Sequence, residues 1–327
     1  MARSWNAASW RRLAIVVGGQ VVLAILGGGA AWAQSCTVEV SDGDFGTVNG
    51  LAGGTVNTTA TLSFACTGLT PVVPVTLCPN IGPGSGGDDG SGGRRLTGPG
   101  APLAFQIYQD AARSQPWGSS SLLAFGEVPT ITLIPGLSGR VNTTRTLYGR
   151  VTVPATTQPG AYASTFANQN FFWGLNLLTC AGITIGTAIP PPAFTFRVDV
   201  APSCTVSATL LDFGPVGLLS APVSAQNTVS VRCTPGTPYS VGLGPGLNGS
   251  GPTARRLAKG AERVTYGIYK DAAATQPWGE AAQGASAVWS GTGSGATQTY
   301  TGYGRAPAQT TPSPGEYVDT VVATITY

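Results

Sequence analysis

Apolar and polar residues alternate with a period of two through residues 36–40, 58–66, 103–108, 193–200, 264–269 and 318–327. In 58–66, Leu62 and Phe64 fall on one face and Thr61, Ser63 and Ala65 on the other. Runs of this kind, bounded by Gly and Pro, predict half-buried antiparallel strands. One apolar run lacks the alternation: it spans 13–30, is interrupted by Gln20, follows Arg3, Arg11 and Arg12, and closes in Ala31-Trp32-Ala33. A basic start, an apolar centre and a small-x-small end predict a secretory signal over 1–33. The run is too glycine-rich and interrupted for a permanent span of about 20 apolar residues.

The strands are organised by a phrase that occurs twice. Ile107-Tyr108-Gln109-Asp110-Ala111-Ala112 runs on to Gln115-Pro116-Trp117-Gly118, and 161 residues later Ile268-Tyr269-Lys270-Asp271-Ala272-Ala273 runs on to Gln276-Pro277-Trp278-Gly279. Further blocks repeat in the same order: Asp44-Phe45-Gly46 with Asp212-Phe213-Gly214, Arg94-Arg95-Leu96 with Arg255-Arg256-Leu257, and Tyr148-Gly149-Arg150 with Tyr303-Gly304-Arg305. Pro159-Gly160-Ala161-Tyr162 likewise matches Pro314-Gly315-Glu316-Tyr317, which suits a type II turn leading into a strand with a corner tyrosine. The chain is a tandem repeat of one domain. Many short strands joined by turns, with 47 Gly and 25 Pro, fit two all-β domains with cores of their own.

Six cysteines in an exported chain predict three disulfides. The repeat pairs Cys36 with Cys66 and Cys204 with Cys233, leaving Cys78 for Cys180. With no histidine in the chain and no CxxC, no metal site is expected. Without the signal the chain carries 14 basic and 14 acidic residues, since three of its 17 Lys and Arg lie in 1–33. That balance argues against nucleic acid and against a polybasic membrane grip.

The candidate chemistry is sparse. The glycine-rich run 82–93 spells GxGxxG at Gly82, Gly84 and Gly87, but no helix pattern follows, so it is expected to be a mobile loop rather than a phosphate cradle. Asp88-Asp89 reads as a solvated pair before it reads as a calcium ligand. Trp117 and Trp278 could stack on sugars, but their recurrence favours core packing. Arg94 and Arg255 are expected to pair structurally with acids. The sequons at Asn57, Asn142 and Asn248 read as turn residues. No G-x-S-x-G occurs and no histidine is available for a triad; a glycoside hydrolase built on two distant carboxylates is the enzyme that the sequence leaves open. No cofactor and no catalysis are expected.

The Ser-Cys-Thr-Val starts at 35 and 203, the Asp-Phe-Gly, the Arg-Arg-Leu, the Gln-Pro-Trp-Gly phrase and the terminal Pro-Gly-x-Tyr-x-Asp-Thr-Val together resemble the spore coat protein U domain family. The likeness covers 203–327 almost end to end and 35–200 more loosely. It implies pilin-type, immunoglobulin-like β-sandwiches over 34–200 and 201–327, the second lacking a strand. It also implies archaic chaperone-usher pili, with a periplasmic pilus chaperone, an outer-membrane usher and the donor strand of the next pilin subunit as partners. Cleavage after Ala33 leaves only Gln34 and Ser35 before Cys36, so the chain is expected to accept a strand but donate none. A two-domain cap of that kind resembles a tip adhesin, exported through the periplasm to the extracellular pilus tip and attaching to an abiotic or host surface in biofilm formation. A secreted coat or fibre protein without a specific ligand is the alternative.

Aligning the repeats on Tyr162 and Tyr317 leaves residues 167–192 as an insert in the first domain. It carries Phe171, Phe172, Trp173, Leu175, Leu177 and Leu178 and ends in Pro190-Pro191-Pro192. An exposed apolar patch pinned by Cys78–Cys180 would make these the surface-binding residues. Alternatively the insert folds back as core or completes the first sandwich.

Overall fold

The computed structural model describes residues 34–120, 122–177, 179–180 and 186–327, so the signal segment 1–33 and Leu178 lie outside the described residues. The alternating runs form strands. In the first half these are β1 (Ser35–Val40), β2 (Gly43–Asn49), β3 (Gly54–Thr67), β4 (Val75–Pro79), β5 (Arg94–Leu96), β6 (Leu103–Tyr108), β7 (Ile131–Leu133), β8 (Val141–Val153), β9 (Gly160–Phe166), β10 (Phe171–Leu175), β11 (Thr187–Ala188) and β12 (Phe194–Ala201). β1-β3-β8-β6-β5 make one sheet; β11-β10-β4-β7 and β2-β12-β9 make the opposing layer. Leu62, Phe64, Phe105, Leu147, Val151, Phe166 and Phe196 are buried between the layers, which is why their strands alternate.

The second half follows with β13 (Cys204–Ala208), β14 (Val223–Cys233), β15 (Pro238–Leu243), β16 (Arg255–Lys259), β17 (Glu262–Tyr269), β18 (Trp289–Thr292), β19 (Thr297–Ala306) and β20 (Ala323–Thr326). The order β13-β14-β19-β17-β16 repeats that of the first five-stranded sheet, and β18-β15-β20 faces it. The protein is therefore all-β, with two tandem sandwiches and no described sheet that mixes strands of the two.

Cys36–Cys66 and Cys204–Cys233 link directly facing positions of the first two strands of each five-stranded sheet, and Cys78–Cys180 ties β4 to the segment after β10. Trp117 and Trp278 are core residues, their Nε1 groups donating to Pro79 O at 2.8 Å and Val241 O at 3.0 Å. Tyr162 is the corner residue, its hydroxyl donating to Gln158 O at 2.9 Å.

Two expectations need correction. Arg94 and Arg255 are fully buried, and among the described residues neither forms an ion pair with an acid. Arg94 donates to the carbonyls of Gly82, Ile81 and Trp117, and Arg255 to those of Gly244, Leu243, Trp278 and Pro252. The carbonyls of Ile81, Gly82, Leu243 and Gly244 lie where the chain leaves β4 and β15, those of Trp117, Trp278 and Pro252 come from other loops, and a planar fork of five donors satisfies several at once. The run 82–93 is no loose loop either: Ser85 N donates to Thr165 O, Gly86 N to Ser164 Oγ and Arg95 N to Gly87 O, each within 3.1 Å. Asp89 is an internal cap, accepting from the amides of Ser91 and Gly93.

Candidate functional site: an open strand position

β12 fills the middle of its sheet. It runs parallel to β2 and antiparallel to β9, with Phe196 beside Gly43 and Val198 beside Tyr162. A Cβ at Gly43 would overlap the Phe196 ring, so glycine there permits the close approach. Phe194, Phe196, Val198 and Val200 are all buried, and Phe196 packs among Phe45, Phe105, Phe166 and Phe194 at ring-centre distances of 5.2 to 6.4 Å.

The second sandwich has both neighbours of this strand but not the strand. Segment 211–217 carries Phe213 where β2 carries Phe45, and segment 315–321 carries Tyr317 where β9 carries Tyr162. The outer edge of that last segment is anchored as in the first sandwich: Val318 bridges Ala258 as Ala163 bridges Thr97. Among the described residues no strand pairs with either segment on the side that β12 occupies in the first sandwich. The consequence is lost burial: Phe45 and Tyr162 are 6% and 0% exposed, whereas Phe213 and Tyr317 are only half-buried and Val216, Val318 and Val322 are exposed. The terminal run expected to be one strand over 318–327 is a strand only at β20, because 318–322 has a single bridge and no ladder on its inner side.

Beyond the Val318 bridge, side chains hold this segment in place. Glu262 accepts from Ser313 N at 3.0 Å, from the Ser313 hydroxyl and from the Tyr317 hydroxyl at 2.8 Å, and Asp319 accepts from Leu247 N and the Tyr266 hydroxyl, both at 2.9 Å. These hydrogen bonds pull the Glu262 carboxyl down to about 2.

Of the surface-binding residues expected in the insert, Phe171 and Trp173 are core. Phe171 faces Pro79 in the ladder and Trp173 faces Leu77, and both are buried. In the second sandwich Ile325 faces Val241, and Trp278 donates to Val241 O as Trp117 does to Pro79 O. Phe171 therefore occupies the place of Ile325, and β10 is the counterpart of β20 rather than an insertion. Phe172 packs half-buried against Cys78 and Cys180, and Leu175 and Leu177 are half-buried. The completing strand is β12, which follows the insert.

The exposed apolar residues of the first sandwich lie elsewhere. Val72, Leu123, Ile134 and Leu137 are 72%, 79%, 67% and 91% exposed. Loops 68–74 and 134–140 touch, through Val72 N to Pro135 O and Leu69 N to Gly139 O, both at 3.0 Å. Val72 adopts φ 60°, a strained backbone for a β-branched residue. The equivalent loops of the second sandwich, 234–237 and 293–296, hold only Thr, Pro, Gly, Ser and Ala. Apolar residues beside prolines, absent from the sister domain, were the signal available in the sequence.

Among the described residues no cluster of three or more His, Cys, Asp or Glu could hold a metal ion, and no helix is long and apolar enough to cross a membrane.

Known proteins resemble the chain at two levels. A chain of the CsuC–CsuE chaperone–tip adhesion subunit pre-assembly complex from archaic chaperone-usher Csu pili of Acinetobacter baumannii shares the fold, with 16% identity over 90% of this chain and 100% of that chain and a TM-score of 0.50. A chaperone–tip adhesin complex of CFA/I fimbriae biogenesis aligns with 10% identity over 88% of this chain and 96% of that chain, at a TM-score of 0.27 that is too low to define a common fold. No curated protein matches the sequence. The Spore Coat Protein U domain matches residues 22–168 and 192–324, once per sandwich, and leaves out 169–191. With most of the chain covered by these two matches, the protein belongs to the Spore Coat Protein U domain family.

Proposed function

We propose that the protein is a non-enzymatic pilus subunit of the tip, which takes a donor strand from the next subunit into its second sandwich and attaches to surfaces through its first. The observation that carries this reading is the open position between 211–217 and 315–321, whose counterpart in the first sandwich is filled by β12. A donor strand that follows the pattern of β12 runs parallel to 211–217 and antiparallel to 315–321, and presents apolar side chains at alternate positions. The first sandwich supplies its own β12 and has no such open position, so strand exchange reaches only one of the two domains.

Tip placement is supported by the apolar loops. Gly54 faces Val153 at one end of the β3–β8 ladder and Cys66 faces Val141 at the other, twelve residues or roughly 40 Å away. Gly50 N donates to Ala201 O near the first end, where the chain crosses into the second sandwich, so loops 68–74 and 134–140 lie at the far end. By analogy with the Csu complex, a periplasmic chaperone and an outer-membrane usher would deliver the chain to the cell exterior. There it would bind abiotic or host surfaces and promote biofilm formation.

A peptide of the β12 sequence, residues 193–201, tests strand acceptance in the full chain. It should slow amide hydrogen exchange over 315–322 and stabilise the second sandwich by about 2.7 kcal/mol at a hundredfold excess over Kd. A control with Phe194, Phe196, Val198 and Val200 changed to Ser should do neither. Equal stability with and without the apolar peptide would sink the proposal.

A further inference from the structure

The turn before Gln-Pro-Trp-Gly is built twice on one frame. Asp110 accepts from the amides of Ser114 and Gln115, and Asp271 from those of Thr275 and Gln276. Arg113 and Ala274 occupy the same position with the same left-handed backbone, φ 57° and 55°. Only the side chain differs. Arg113 folds back onto the outer face of its five-stranded sheet, where Nε donates to Gly149 O at 3.2 Å, Nη1 to Ala111 O at 3.0 Å and Nη2 to Thr58 O at 3.4 Å. Its guanidinium lies 5.7 Å from the Tyr148 ring centre.

Every group that receives this guanidinium has a counterpart in the second sandwich. Thr58 faces Gly149 as Ala225 faces Gly304, and Ile107 faces Gly149 as Ile268 faces Gly304. Tyr303 stands for Tyr148 and Ala272 for Ala111. Ala274 supplies no long side chain to cover them, and a cavity of about 140 Å³ opens at that point, its walls including Ala225, Ala272, Ala274, Tyr303, Gly304 and Arg305. The geometry points to a receptor site for the guanidinium of an arginine side chain presented by a partner chain.

The chemistry suits that group. Guanidinium is planar and weakly hydrated and offers several donors at once, matching carbonyls on one side and an aromatic face on the other. A lysine ammonium is a compact, strongly hydrated charge and fits the same surface less well. Arg305 lines the cavity as well; in the first sandwich its counterpart Arg150 follows the Gly149 whose carbonyl accepts from Arg113 and lies 5.5 Å over the Tyr108 ring, so one such face carries two guanidinium groups. The cavity lies on the outer face of the five-stranded sheet and the open strand position in the opposing layer, so the two can be occupied independently.

Titration of the ¹⁵N-labelled full chain with N-acetyl-arginine methylamide should shift the amide resonances of 224–226, 272–274 and 303–305 saturably. The lysine analogue should bind at least about fivefold more weakly, and Ala274→Arg should abolish the shifts by filling the site from within. Non-saturable shifts, equal binding of the two analogues, or unchanged shifts in Ala274→Arg would each overturn the assignment. Tighter binding of free guanidinium ion than of the capped residue would overturn the partner-chain source.

Discussion

Arg94 and Arg255 show how far a single recurring residue can be read. Their repetition marked them as structural, but among the described residues neither forms the expected ion pair, and the backbone carbonyls that receive them carry no signature in a sequence. Burial pushes Arg94 down to about 9 and Arg255 to about 10, and the carbonyl fork offsets part of that desolvation. Arg255→Met should strand the carbonyls of Leu243, Gly244 and Trp278 and cost about 3 kcal/mol, read as a lower urea midpoint for the second sandwich. Arg255→Lys should not restore it, since one ammonium cannot serve the same fork. Trp117 and Trp278 were legible for the same reason as the arginines, and here the reading of recurrence as core packing agrees with their burial.

Single strands were mostly legible, but their place in a sheet was not. Phe171-Phe172-Trp173 had no sequence match in the second domain and so looked like added surface, yet the ladder puts β10 against β4 as β20 lies against β15. Spatial equivalence survives without sequence likeness because a ladder needs only backbone pairing and an apolar inward face. Segment 315–321, bridged to its sheet only at Val318, relies on side chains as well, and Glu262 is its main clamp. The Glu262 carboxyl titrates lower in the folded protein than the usual value of about 4.3. Its contribution is therefore present above that value and is lost as pH falls toward about 2. Glu262→Gln should be less stable than the parent at pH 6 and converge with it near pH 2, as followed by urea midpoints across that range. A constant difference would remove the carboxylate from the role.

At the scale of the molecule, the free end of the first sandwich carries the exposed apolar loops. Replacing Val72, Ile134 and Leu137 together with Ser should change stability by no more than about 0.5 kcal/mol per site, since all three are exposed. Attachment of fibres to polystyrene should fall sharply while fibre assembly continues. Retained attachment would instead favour a coat or fibre protein without a surface ligand. Serine at Phe171 or Trp173 would test something different, because both are buried and their loss damages the core.

The repeat, the all-β class, the family and the three disulfides are all legible along the chain, because periodicity, recurring motifs and cysteine spacing are local or pairwise properties of it. That β12, not the insert, completes the first sandwich, and that the second keeps the two walls of that position with no strand paired between them, emerges only from the packed sheets. The physical reason is that a strand's neighbours and its burial are set by the whole sheet. The same alternating pattern is buried core where both edges are paired and exposed surface where one is not.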